Sequence, residues 1–207
     1  MNFKPGDFFL GIVDFRGILV PGALLVYLEA PWIALIFNIF PLQSHWIVFA
    51  AAGYFLGHLL LAITELFNWL GKTFAQYVWP FSRIERDSEV LKERSFPVLK
   101  NSVAKNDQTN FHAALSFLRI WSAEAAGEVD RHMAGYKLLR CVSMVFVIDL
   151  LFSLRGSPVS RERVWSDVLL AVLFFLAFVR MLQWAHLLAY QYCILVQDKA
   201  KPPAPHP

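Results

Sequence analysis

Glu29, His58, Glu65, Asp149 and Arg180 are ionisable side chains that stand inside apolar stretches of this 207-residue chain. A charge at membrane depth is costly and faces protein or a water-filled cavity, so these are the places for proton transfer, gating or ion pairing. Glu29 lies about twelve residues from the inner end of its apolar stretch, and His58 about twelve from the outer end of the next. The two are expected to meet near mid-membrane and share a proton, as a gate or relay. The alternative is a His58 satisfied by a carboxylate or backbone carbonyl, with Pro31 kinking the helix beside Glu29. Glu65 lies nineteen residues beyond Trp46 and Arg180 sixteen beyond Val164. Both therefore belong near the inner headgroups, as an ion pair or as two side chains that snorkel there. Asp149, about six residues from the end of its stretch, belongs at the outer interface, solvated by water, Arg155 or Arg161.

The most patterned polar stretch sets Glu124, Glu128 and Asp130 beside Arg131, Lys137 and Arg140. Helical spacing pairs Glu128 with Arg131 and leaves the other charges on a wet face. Alternatively, Glu124, Glu128 and Arg131 form a docking surface for a cytoplasmic effector protein or a neighbouring subunit. No HExxH, Cys/His cluster, P-loop, GxSxG elbow or recognisable carboxylate pair occurs, so no catalytic, cofactor-binding or metal-ligating residue is expected. His58 and His186 alone could face one another across helices, and their depths differ too much for haem. Cys141 and Cys193 form no CxxC motif and read as buried free thiols, and Ser116, Ser122 and Ser143 as helix-packing residues.

The elements that must position these groups follow from composition. The chain is 57% hydrophobic, 15% aromatic and 17% charged, more apolar than a single core of this size can hide from water. Disorder is excluded, and lipid is needed to cover the surplus. A net charge of +3 with no basic face excludes nucleic acid as an expected partner. Asp7 and Asp14 interrupt the early apolar run and argue against a cleavable signal peptide. The apolar stretches Gly17 to Phe40, Trp46 to Leu70, Leu138 to Leu154 and Val164 to Val196 predict an all-α polytopic protein with four transmembrane helices. The organisation is an interfacial segment over 1–16, helices 1 and 2 over 17–70, a cytoplasmic helical region over 71–136, helices 3 and 4 with an inner extension over 137–197, and a disordered tail over 198–207. Lys/Arg residues concentrate in Gly71 to Arg140 and are missing from Phe40 to His45, which predicts both termini inside the cell. Arg155, Arg161 and Arg163 in the outer hairpin run against this rule. Trp46 and Trp165 fall at the outer interface and Trp69, Trp79 and Trp184 near the inner one, as an aromatic belt requires.

Asp107 or Thr109 can cap one uninterrupted helix from Phe111 to Leu154, with a packing stripe of Phe111, Leu115, Leu118, Ser122, Ala125, Val129, His132, Tyr136 and Leu139. The fourth helix is predicted over Val164 to Gln197, its half beyond Arg180 protruding inward, with a smaller helix around Arg83 to Arg94. Met1 to Arg16 reads either as an interfacial helix that turns at Pro21-Gly22 or as an extension of the first span.

Several short motifs carry a family resemblance: Asp7-Phe8-Phe9, Val13-Asp14-Phe15, Val20-Pro21-Gly22-Ala23, Gly53-Tyr54-Phe55-Leu56-Gly57-His58 and Ala134-Gly135-Tyr136-Lys137-Leu138-Leu139-Arg140. In these the chain resembles bacterial four-span inner-membrane proteins of antiphage-defence type, including CRISPR-accessory pores and the membrane subunit of the Kiwa system. The resemblance carries over no catalytic residue, and the RxxxxH pattern of nuclease-like HEPN domains is missing at Arg119 and Arg131. It implies a non-enzymatic component that assembles as a homo-oligomer, senses membrane or phage perturbation, and signals to a cytoplasmic partner or opens a pore. Conduction would require the oligomer, because a lone four-helix bundle fills its own axis with side chains. The competing expectations are a small-molecule or lipid transporter or membrane enzyme using Glu29, His58 and Asp149, and a passive anchor for a soluble effector docked on Arg83 to Arg131.

Overall fold

The structure, a computed structural model, describes residues 5–30, 33, 46–78, 80–99, 107–155 and 160–200. Seven helices and no strand occur among them: α1 (Pro5–Leu28), α2 (Trp46–Thr64), α3 (Leu66–Tyr77), α4 (Phe81–Leu99), α5 (Asp107–Trp121), α6 (Ala123–Arg155) and α7 (Arg161–Ala200). The chain forms two compact units. One comprises Met1–Lys72 with Ala134–Val179, the other Thr73–Met133 with Arg180–Pro207. The Phe40 to His45 connection, Pro31, Trp79, the Asn101 to Asn106 tract, the Gly156 to Pro158 turn and most of the tail lie outside the described residues.

In the first unit, α1 and α2 touch backbone to backbone. A Cβ at Gly22 would strike the Gly53 carbonyl oxygen, and one at Gly57 would strike the Ile18 carbonyl oxygen. Gly53 and Gly57 are one helical turn apart, so together they present a side-chain-free strip on α2. This is the small-xxx-small device by which helices approach closely in lipid. The pairs Gly22 with Gly53 and Ile18 with Gly57 also fix an antiparallel register. Pro21 lies buried inside α1, which runs unbroken from Pro5, so the turn anticipated at Pro21-Gly22 does not occur. A proline is tolerated there because it removes only one helical hydrogen bond, and packing against α2 stabilises both sides of it.

Leu25, Leu60, Cys141 and Val145 close the apolar centre where α1, α2 and α6 meet. Between α6 and α7, Ser143 Oγ donates to the Ala171 carbonyl at 2.9 Å, and Phe146 stacks on Phe174 at 5.7 Å. Gly71 packs under the Phe178 ring, which a Cβ would meet at 2.8 Å. Arg140 is buried and donates from Nη1 to Asn68 Oδ1 at 2.7 Å, giving the interior charge a neutral acceptor.

The surface of this unit inverts the usual order. On α2 the buried positions are Gly53, Gly57, Leu60 and Thr64, while Trp46, Phe55, Leu59 and Ile63 point outward, Phe55 at 70% exposure. Leu169, Val172 and Leu173 do the same on α7. Two stretches, Trp46–Glu65 and Arg161–Gln197, are long and apolar enough to cross a membrane, and only 22% and 28% of their apolar windows are buried within the protein. A core helix of a water-soluble protein would be mostly buried.

The second unit has a conventional core. Phe111, Ala114, Leu115, Leu118, Ala125, Ala126 and Val129 pack against Ala189, Tyr190 and Cys193. The anticipated stripe is therefore buried over its first half, but the helix carrying it is not continuous: Ser122 separates α5 from α6. Its hydroxyl accepts from the Ala125 N–H at 3.4 Å, the N-cap interaction that starts a new helix. Arg119 Nη2 meets Asp130 Oδ1 at 3.2 Å although the residues are eleven apart. On a straight helix they would be separated by about 16 Å, beyond their combined reach, so the break at Ser122 is a bend. The helix expected around Arg83 to Arg94 lies within α4, which packs on α5. Buried Gln183 ties α7 to it, donating from Nε2 to the Phe81 carbonyl at 2.9 Å and to Glu85 Oε2 at 3.1 Å.

Candidate functional site

The helix register separates the two residues expected to share a proton. With Ile18 against Gly57 and Gly22 against Gly53, Glu29 comes level with Trp46, while His58 is level with Gly17. Twelve residues of helix, about 18 Å of rise, lie between them. His58 is exposed and meets the Tyr54 ring edge-on at 4.6 Å, whereas Glu29 is buried. The difference arises because a count from Gly17 starts the first helix too late, and α1 begins at Pro5.

Glu29 instead joins Asp149. Asp149 is 2% exposed, and its Oδ1 accepts from Arg163 Nη2 at 2.7 Å. The Glu29 and Asp167 carboxyl groups both adjoin Asp149. Three segments thus deliver three buried carboxyl groups and one guanidinium to a single place: Glu29 just past the end of α1, Asp149 on α6, and Arg163 and Asp167 on α7. Among the described residues, Glu29 Oε1 and Asp167 Oδ2 are buried without a hydrogen-bond partner. A cleft of about 590 Å³ opens beside the cluster, lined by Tyr27, Leu28, Ala30, Phe146, Asp149, Arg163, Asp167 and Leu170. The partner of Asp149 is Arg163, in place of the water, Arg155 or Arg161 anticipated from the sequence. Asp167 is not singled out by sequence reasoning, since it follows the polar run Arg161 to Arg163. A signal for both is present: Arg163 and Asp167 stand four apart, on one face of α7.

Glu65 and Arg180 are both exposed, one in each unit. In the second unit Glu128 pairs with Tyr192, whose Oη donates to Glu128 Oε2 at 2.6 Å, and not with Arg131. Asp130 of that stretch forms an ion pair with Arg119. The reason is the α5–α6 bend and the closeness of α7, neither of which helical spacing alone describes. Glu124 and Glu128 line a cavity of about 370 Å³ with Ser122, Ala125, Tyr192, Leu195 and Val196, while Arg131 lies exposed. Cys141 and Cys193 are buried free thiols, Cys141 in contact with Thr64 Oγ1 at 3.5 Å and Cys193 with the Ala114 carbonyl at 3.5 Å.

No protein-family model, curated protein or solved structure matches the chain.

Proposed function

We propose that the protein is a multi-pass component of the bacterial inner membrane, without enzymatic activity, that assembles as a homo-oligomer and belongs to an antiphage defence system. In this reading four helices cross the bilayer. Besides the stretches in α2 and α7, α1 and the Leu138 to Leu154 part of α6 supply the first and third crossings, with both termini in the cytoplasm. The observation that carries the membrane reading is the inverted surface of the first unit, with glycines and Thr64 inward and Trp46, Phe55, Leu59 and Ile63 outward. Bulky apolar groups facing out are stable only against lipid or another apolar surface. The buried polar groups of α6 fit the same reading, since Arg140 meets Asn68 and Asp149 meets Arg163 rather than lipid.

The second unit, with its charged α4 and the Glu124–Glu128–Tyr192 cavity, supplies the aqueous surface through which a perturbation sensed in the membrane reaches a cytoplasmic partner. The defence assignment rests on the motif resemblance. With about 18 Å of helix rise between Glu29 and His58, neither a gate nor a transporter or membrane-enzyme reading draws support from the two as a pair.

Native mass spectrometry in mild detergent and a phage-challenge assay test the proposal together. Expected are a discrete oligomer and a plating efficiency that rises when the gene is deleted or when Glu124→Lys/Glu128→Lys is introduced. A strict monomer would contradict the assembly, and unchanged plating across a broad phage panel would contradict the defence role.

A further inference from the structure

The Glu29–Asp149–Asp167 cluster carries three carboxyl groups against one guanidinium, and each of the three acidic residues is at most 5% exposed. Arg163 offsets one of the three charges, and the other two call for protons or a bound cation. Asp167 lines the cleft, and among the described residues its Oδ2 has no partner. An unmatched buried carboxylate is too costly to leave without a counter-charge or hydrogen-bond donor.

The shape of the cleft selects among donors. Its volume of about 590 Å³ far exceeds what a proton or bare ion occupies, and no group of three His, Cys, Asp or Glu residues is spaced for a metal ion among the described residues. Its walls include the aromatic rings of Tyr27 and Phe146 beside Asp149 and Asp167, the pairing that favours an organic cation. Arg163 is half-exposed at the rim with N–H groups to spare for an anionic substituent on the same ligand. The charged groups nearby are Glu29 just past the end of α1, Asp149 on α6, and Arg161, Glu162, Arg163 and Asp167 on α7. From α2 the nearest titratable groups are Tyr54 and His58, more than two turns away by the register. The cleft also lies at the end of the first unit that carries the exposed Trp46 and Trp165. Such aromatic residues mark headgroup level in a bilayer.

We propose that this cleft binds a primary ammonium group, carried by an aminophospholipid headgroup or by a free alkylamine. Three N–H donors reach the Asp167 and Asp149 carboxylates, and Tyr27 and Phe146 flank the cation. A phosphodiester attached to the amine meets Arg163. The lipid source rests on the membrane reading above, whereas the free-amine source does not.

Delipidated protein in detergent is titrated with dioleoyl phosphatidylethanolamine, its N-methyl and N,N-dimethyl forms, and dioleoyl phosphatidylcholine, with bound lipid counted by native mass spectrometry. Each methylation removes an N–H donor, so retention should fall stepwise, at least tenfold over the series. Asp167→Asn should remove the preference among the four lipids. Displacement of the lipid by millimolar ethanolamine or putrescine, or binding of those amines alone, identifies a free amine as sufficient. Binding of phosphatidylethanolamine alone identifies the headgroup. Equal retention across the wild-type series, together with no binding of ethanolamine or putrescine, would overturn the proposal without recourse to a variant. So would carbodiimide modification of Asp167 that phosphatidylethanolamine does not reduce, because the site would then be filled by a proton.

Discussion

A methyl group added at Gly57 points into the carbonyl oxygen of Ile18, and one at Gly22 into that of Gly53, both backbone atoms that cannot rotate aside. Gly57→Ala is therefore expected to lower stability in detergent by at least about 2 kcal/mol, the upper part of the range for overpacking, because two helices must separate to admit it. Gly127 is the contrasting case. It sits inside α6 with nothing within 4 Å of the place a Cβ would take, so Gly127→Ala should raise stability by about 0.5–1 kcal/mol through helix propensity alone. Thermal unfolding of the two variants side by side checks both signs. At this scale the sequence marks which residues must be accounted for and says little of their partners. Glu29 and Asp149 stand out in any reading because a carboxylate in an apolar run must be accounted for. Their meeting depends on the relative shift of α1 and α6, which composition does not encode. Asp167 escapes notice because it borders a polar turn and looks solvated, yet α7 buries it.

Helix content is legible throughout, since long runs without proline or glycine clusters leave few alternatives. The ends and interruptions are less so. α1 absorbs Pro21 because α2 packs across it, and the helix through Phe111 to Leu154 breaks at Ser122 although no proline or glycine marks the place. The only local sign is a serine with a hydroxyl able to cap. Ser122→Ala should accordingly cost about 1 kcal/mol, read as a shift in the unfolding midpoint of the second unit. The Arg119–Asp130 pair that spans the bend has Arg119 half-exposed, so Arg119→Gln should change stability by less than about 1 kcal/mol. If Arg119→Gln proved the costlier of the two, the ion pair rather than the cap would be what holds the bend.

For the molecule as a whole, hydrophobic surplus points to lipid, and the distribution of that surplus over the surface of the first unit says where the lipid would lie. Trp46, Phe55 and Trp165 are 73%, 70% and 71% exposed, a pattern that in water would drive aggregation. The proposed topology, four crossings with cytoplasmic termini, would place Arg94 on the inner side and Arg161 on the outer. The most direct test is labelling of intact cells with a membrane-impermeant maleimide, using single cysteines introduced by Arg94→Cys and Arg161→Cys, with buried Cys141 and Cys193 as the unreactive background. The account predicts that Arg161→Cys is labelled in intact cells and Arg94→Cys only after permeabilisation. Labelling of Arg94→Cys from outside, or recovery of the chain in the soluble fraction, would contradict it.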